Sequence, residues 1–119
     1  MLDHSVAPNA RSSRRLDEVF RALAHPVRRE ILSRIGSGER TISELAEPFD
    51  MTLEAVSQHV RVLERARLLR RRRRGREHHC RIDPTRLREA GAMLVKLAGF
   101  WEGQLASLDR WLATAPEKE

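Results

Sequence analysis

Glu54, Gln58, Arg61 and Arg65 follow one another at steps of four, three and four residues, with Ser57 beside them. On a helix that spacing gathers them along a single stripe. The chemistry they share is nucleic-acid contact. Glutamine pairs bidentately with adenine, arginine with guanine or a phosphate, serine with either, and glutamate accepts a hydrogen bond from cytosine N4. A second concentration of this chemistry lies in five consecutive arginines, Arg70 to Arg74, with Arg76 just beyond. Charged outer faces are also the rule on ordinary amphipathic helices, so both groups take their meaning from the elements that hold them.

The first group lies on a helix expected from Thr52 to Ala66. The Thr52 hydroxyl can accept an orphan N–H of the first turn, and no Gly or Pro interrupts the chain from Leu53 to Ala66. Leu53, Val56, Val60 and Leu63 recur at steps of three, four and three, a stripe expected to be buried. Just before this helix, Thr41-Ile42-Ser43-Glu44 is a capping box, in which Thr41 serves the N–H of Glu44 and the carboxylate returns to the N–H of Thr41. Leu45 and Ala46 continue that short helix and Pro48 helps to stop it. Phe49, Asp50 and Met51 leave room only for a tight turn between two crossed helices, which is helix-turn-helix spacing.

After Ala66 the periodicity changes. Leu68 to Arg74, Gly75-Arg76, and Glu77 to Ile82 read as two strands about a turn, with Cys80 and Ile82 alternating inward. Five arginines in a row cannot form a buried strand. Bracketed by Leu68, Leu69, Cys80 and Ile82, they read as a wing whose Arg71, Arg72, Arg73, Arg74 and Arg76 can lie over a DNA backbone or enter a minor groove.

Charge is distributed accordingly. The 119-residue chain carries a net +6, yet Arg61 to Arg81 alone hold ten arginines against Glu64 and Glu77, so the remainder sums to about −2. One basic region on an otherwise near-neutral domain is the footprint expected for a polyanion, with double-stranded DNA ahead of RNA or a membrane surface. The length suits one domain with a modest core. No apolar run approaches a membrane span and the first residues lack the apolar segment of a signal peptide, so a cytoplasmic protein without membrane contact is expected. Cys80 is the single cysteine, which excludes an internal disulfide framework and any site of several cysteines within one chain. No Gly-rich phosphate loop, paired catalytic carboxylates or nucleophile-base constellation stands out, and no enzymatic activity is expected.

The remaining elements position these groups. Residues 1–12 lack periodicity and are expected to be a loose arm; a first helix from Ser13 to Ala24 shows Leu16, Val19, Phe20 and Leu23 on one face. His25-Pro26 breaks it and starts a second helix, Pro26 to Ile35, which buries Val27, Ile31, Leu32 and Ile35 and is closed by Gly36 and Gly38, with Arg28 and Arg29 off the apolar stripe. Asp83-Pro84 starts the last helix, residues 84–113, before a tail at 114–119. Along it Leu87, Gly91, Leu94, Ala98, Trp101, Leu105, Leu108 and Leu112 alternate at steps of four and three over four heptads. Such a repeat implies a helix-helix seam, made either with a second copy of the chain or with the first helix of the same chain; a symmetric dimer is the favoured reading. The fold expected for residues 13–113 is therefore mainly α with a small β-hairpin: a winged helix-turn-helix with reading helix 52–66, wing 68–82 and a long C-terminal dimerisation helix.

With these pieces assembled, the chain resembles the ArsR (arsenic-repressor-like) family of bacterial winged helix-turn-helix regulators over roughly Leu16 to Leu112. The resemblance rests on Phe20 to Leu32 (FRALAHPVRREIL), Ile42 to Ala46 (ISELA), Ala55 to Leu69 (AVSQHVRVLERARLL) and Gly75-Arg76 at the wing turn. It implies a homodimer that binds an operator, usually as a repressor. Family members usually carry Asp before the proline of the second helix; His25 stands there, a poorer cap that can respond to pH. Many members sense metals through cysteines before the reading helix or through Asp and His in the last helix. Here Ser43 to Pro48 holds neither thiol nor imidazole and the last helix contains no histidine, so no metal or other cofactor is expected and the effector is unknown. His78-His79-Cys80 remains the candidate for sensing: on a strand His78 and Cys80 share a face while His79 points away, so at most two could join one metal, and a redox role for Cys80 competes with plain burial. His59 reads as a packing or phosphate-contacting residue.

Overall fold

The computed structural model describes residues 10–114; residues 1–9 of the expected arm and 115–119 of the expected tail lie outside the described residues. The elements are α1 (Ala10–Leu23), α2 (Pro26–Ile35), β1 (Glu39–Thr41), α3 (Ile42–Ala46), α4 (Leu53–Arg65), β2 (Leu69–Arg74), β3 (Glu77–Ile82) and α5 (Pro84–Thr114). This is a winged helix-turn-helix. α1 begins three residues before the expected Ser13, because Ala10, Arg11 and Ser12 carry no helix breaker although they precede the apolar pattern. α5 reaches Thr114, one residue past the expected end.

The caps expected from the sequence are present. The Thr41 N–H donates to Glu44 Oε1 at 2.8 Å and the Glu44 N–H to Thr41 Oγ1 at 3.1 Å, closing the capping box. The bond from the Thr41 N–H is the largest cause that holds the Glu44 carboxyl below its ordinary range. Thr52 Oγ1 accepts from the Ala55 N–H at 3.1 Å, and Asp83 Oδ1 from the Thr85 N–H at 3.2 Å.

The expected two-stranded wing is part of a three-stranded antiparallel sheet of order β1-β3-β2. β1 carries no strand signal of its own: Glu39, Arg40 and Thr41 show no apolar alternation, and they become a strand by pairing with Arg81, Cys80 and His79 far along the chain. Between β2 and β3, Arg74 stands opposite Glu77, so Gly75-Arg76 is a two-residue hairpin loop. Gly75 adopts a φ of 61°, the left-handed conformation that such a loop requires at its first position.

One core joins helices and sheet. Val19, Ile31, Leu45, Val56, Val60, Leu63, Leu68, Leu69 and Cys80 are all within it and essentially inaccessible. The last turn of α4 is closed by a Schellman motif: the Leu68 N–H reaches the Leu63 carbonyl at 2.9 Å and the Arg67 N–H the Glu64 carbonyl at 3.0 Å, while Leu63 and Leu68 are both buried. Arg67 holds the left-handed position, φ 63°, where glycine costs least. This turn sends the chain from α4 directly into the wing.

Candidate nucleic-acid interface

Three of the four apolar positions of α4, Val56, Val60 and Leu63, are fully buried and seat the helix on the core; Leu53, expected with them, is 52% exposed. The helix turns Leu53 to the flank of the buried stripe, at the end of α4 where α3 and the wing cover it only in part. Opposite the core, Glu54, Gln58 and Arg65 are exposed and Ser57 and Arg61 half-buried, so the polar stripe is brought together as expected. Gln58 Nε2 donates to Glu54 Oε2 at 3.5 Å, and an Arg61 guanidinium nitrogen lies 3.8 Å from the same oxygen. Glu54 thereby steers both donors without immobilising them, since an exposed pair of this length is worth little. Thr52 is exposed as well, its hydroxyl oxygen engaged as the cap.

The arginine run divides by strand alternation. Arg72, Arg73, Arg74 and Arg76 are exposed, but Arg71 pairs across β3 with buried Cys80 and faces the body. There it forms an ion pair of 3.0 Å with Glu64 on α4. Arg71, expected among the DNA-contacting arginines, braces the wing against the reading helix. Two further arginines hold the wing. Arg74 meets Glu39 of β1 at 2.6 Å, and Arg70 meets Asp83, the cap of α5, at 3.1 Å. The Thr85 N–H chiefly, and then Arg70, hold the Asp83 carboxyl below its ordinary range. The Arg73 side chain donates to the Gly75 carbonyl at 3.0 Å and stiffens the hairpin tip. Arg72 and Arg76 make no ion pair among the described residues.

Residues to which the sequence alone assigns no role turn out to position α4. Arg28 Nε donates to the Ala22 carbonyl at 2.6 Å and one terminal nitrogen to the Arg21 carbonyl at 3.1 Å, while Arg29 reaches the Leu23 carbonyl at 2.8 Å. Arg28 and Arg29 of α2 therefore satisfy orphan carbonyls at the end of α1. The other terminal nitrogen of Arg28 lies 3.3 Å from His59 Nδ1 on α4, so a single guanidinium ties α1, α2 and α4 together. The only hint of this in the sequence is their placement off the apolar stripe of α2. His25 does act as a cap, its Nδ1 accepting from the Val27 N–H at 3.2 Å, and its ring stands 4.5 Å from that of His59.

Arginine can only donate, so the contact with Arg28 needs a neutral His59. Burial first, then His25 and the Arg28 charge, push the His59 pKa below the ordinary 6.5. A histidine depressed in the fold binds fewer protons folded than unfolded, so its contribution is complete above about 6.5 and is lost as pH falls through the lowered value. The melting temperature is accordingly expected to drop on acidification from pH 7.5 to about 5.5, and His59→Gln to flatten that slope. Parallel slopes for the two proteins would exclude His59 as the source.

His79 points away from Cys80, as expected, toward Glu39 and Glu77 at 3.6 and 3.5 Å. Cys80 is fully inaccessible, and burial pushes its thiol up to about 11, against a small opposing effect of Arg71. A thiol so placed is protonated at neutral pH and packs as a small hydrophobe. Among the described residues no three His, Cys, Asp or Glu side chains converge to hold a metal ion, and no helix is long and apolar enough to cross a membrane.

α5 adds a different surface. Its first turns pack on α1, with Ala90 buried and Leu87 against the core, so Leu87, the first of the expected seam positions, is partly covered by its own protomer. Gly91 is half-buried at the edge of that contact. Every residue from Ala92 to Thr114 is exposed, including the seam positions Leu94, Ala98, Trp101, Leu105, Leu108 and Leu112.

Comparison with known proteins agrees with this architecture. A family model described as a helix-turn-helix domain matches residues 23–72. The chain is 38% identical over 85 residues to the HTH-type transcriptional regulator Rv2034 of Mycobacterium tuberculosis, covering 71% of this chain and 77% of that protein. It is 28% identical over 75 residues to the transcriptional repressor SdpR of Bacillus subtilis, covering 63% of this chain and 83% of that one. Among solved structures, an ArsR family transcriptional regulator, RHA00566, superposes with a TM-score of 0.71 at 37% identity, covering 76% of this chain and 93% of that chain.

Proposed function

Because the chain belongs to the ArsR family of winged helix-turn-helix proteins, and is thus a DNA-binding transcriptional regulator, we propose that it acts as a homodimeric repressor on an inverted-repeat operator. The observation that carries this reading is the pairing of two surfaces on one chain: a reading stripe on α4 flanked by wing cations, and an uncovered apolar stripe on α5. Gln58 and Arg61 read base edges, with Glu54 and Ser57 beside them. Thr52, Arg65, Arg72, Arg73 and Arg76 contact phosphates, and Arg71 and Arg74 hold the wing in place. Repression follows from occupying a promoter, in keeping with the name of the Bacillus subtilis relative.

A second copy of the chain is the occupant of the α5 surface. The apolar stripe starts on the protomer's own α1 and continues along the helix for about 34 Å beyond it. Leu97, Phe100 and Trp111 widen it on one side, so it is broader than a two-helix seam requires and suits a partner that contributes more than one helix. In a dimer related by twofold symmetry the two copies of α4 enter successive major grooves about 34 Å apart.

The test separates base readers from backbone contacts. Gln58→Ala or Arg61→Ala is expected to cost about 1–3 kcal/mol on the preferred duplex and to relax preference at one position of each half-site. Arg72→Gln is expected to weaken all sequences alike. Uniform losses across half-site variants for Gln58→Ala and Arg61→Ala would remove them from the base-reading set.

A further inference from the structure

Leu53 is the only large apolar side chain exposed outside α5 among the described residues. The exposed apolar residues of α5 have an occupant in the proposed dimer; Leu53 has none. It is the first residue of α4, and reading helices present their first turns to base edges. Leu53, Ser57, Ser43 and the wing-tip residues Arg76 and His78 line one hollow of about 140 Å³ between α4, α3 and the wing. Ile42, which also lines the hollow, is buried in the core, so a half-exposed leucine stands out among the accessible polar neighbours Ser43, Ser57, Arg76, Glu77 and His78. The major-groove edge of DNA offers one apolar group, the C5-methyl of thymine.

We propose that Leu53 is a specificity-determining residue that packs on a thymine methyl group at one position of each half-site. The inference rests on the reading of α4 as the DNA-reading helix and adds to it a discrimination by shape and apolarity. Thymine is favoured because its methyl and the leucine bury one another. Cytosine is disfavoured at that position because it lacks the methyl and brings an amino group that leucine cannot satisfy.

The experiment uses the full chain and the duplex it enriches from a random pool, with each thymine of a half-site replaced in turn by deoxyuridine, which deletes only the methyl. One position is expected to weaken wild-type binding about fourfold per half-site, the equivalent of ~0.8 kcal/mol for a buried carbon group. Leu53→Ala is expected to bind the thymine and uracil duplexes equally, and Leu53→Met to retain the difference. Alanine at this exposed helical position leaves the fold intact, which the melting temperature checks. An enriched inverted repeat at which no thymine methyl matters, or a methyl effect unchanged in Leu53→Ala, would overturn the role of Leu53 and leave α4 as the reader. A pool with no enriched sequence would overturn both.

Discussion

Trp101→Glu combined with Leu105→Glu is expected to leave the protein monomeric and to lower its affinity for a full operator by about 10² to 10⁴. The size follows from linkage: in a dimer the second half-site is bound at the effective concentration set by the first, and the gain vanishes when the link is cut. Trp101 and Leu105 are 59% and 58% exposed on the protomer and touch nothing in its core, so the double variant should keep the winged body folded. Each large apolar side chain buried in an interface contributes roughly 1.5–3 kcal/mol, and two charges placed there also forfeit their hydration. Light scattering during size-exclusion chromatography reads the mass, and a titration with a single half-site should show little change. A double variant that stays dimeric would shift the interface away from this stripe.

The second large effect is on salt dependence. If about 6–10 phosphates are neutralised by the two protomers, affinity should fall by about 10³ to 10⁵ between 50 and 200 mM salt. The arginines responsible can be distinguished by their partners. Arg71 and Arg74 are committed to Glu64 and Glu39, whereas Arg72 and Arg76 have no ion pair among the described residues. Arg72→Gln and Arg76→Gln should therefore each reduce the slope of log K against log salt by about 0.9 for every phosphate that is no longer neutralised. Glu64→Gln should act otherwise, by loosening the brace on Arg71 and altering the wing without removing a cation. A slope untouched by Arg72→Gln and Arg76→Gln would mean that the wing does not track the backbone.

Much of this architecture is legible in the chain because its signals are local. The capping box at Thr41 and Glu44, the cap at Thr52, the break at His25-Pro26 and the Gly75-Arg76 turn each depend on residues within a few positions of one another. The features that escape a sequence reading depend on distant pairing. Glu39–Thr41 has no strand pattern of its own and becomes a strand only because β3 offers a free edge. Arg71 and Arg72 are identical neighbours in sequence, and only the register with Cys80 and His79 separates a brace from a free cation. Leu53 fits the apolar periodicity of α4, but periodicity cannot say where the covering elements end. Arg28 is legible as polar and off the core stripe, yet its three contacts join segments that meet only in the fold. Leu87 fits the α5 repeat equally well, and only the packing of the fold shows that its own protomer already covers part of it.

The measurement that bears most directly on the central claim is enrichment of duplexes from a random DNA pool by the purified full chain. The expected product is an imperfect inverted repeat whose half-site centres lie about 10 base pairs apart, one helical turn, and whose binding weakens steeply with salt. Salt-dependent binding with no enriched sequence, or enrichment of a single unrepeated site, would contradict a dimer that reads two successive major grooves.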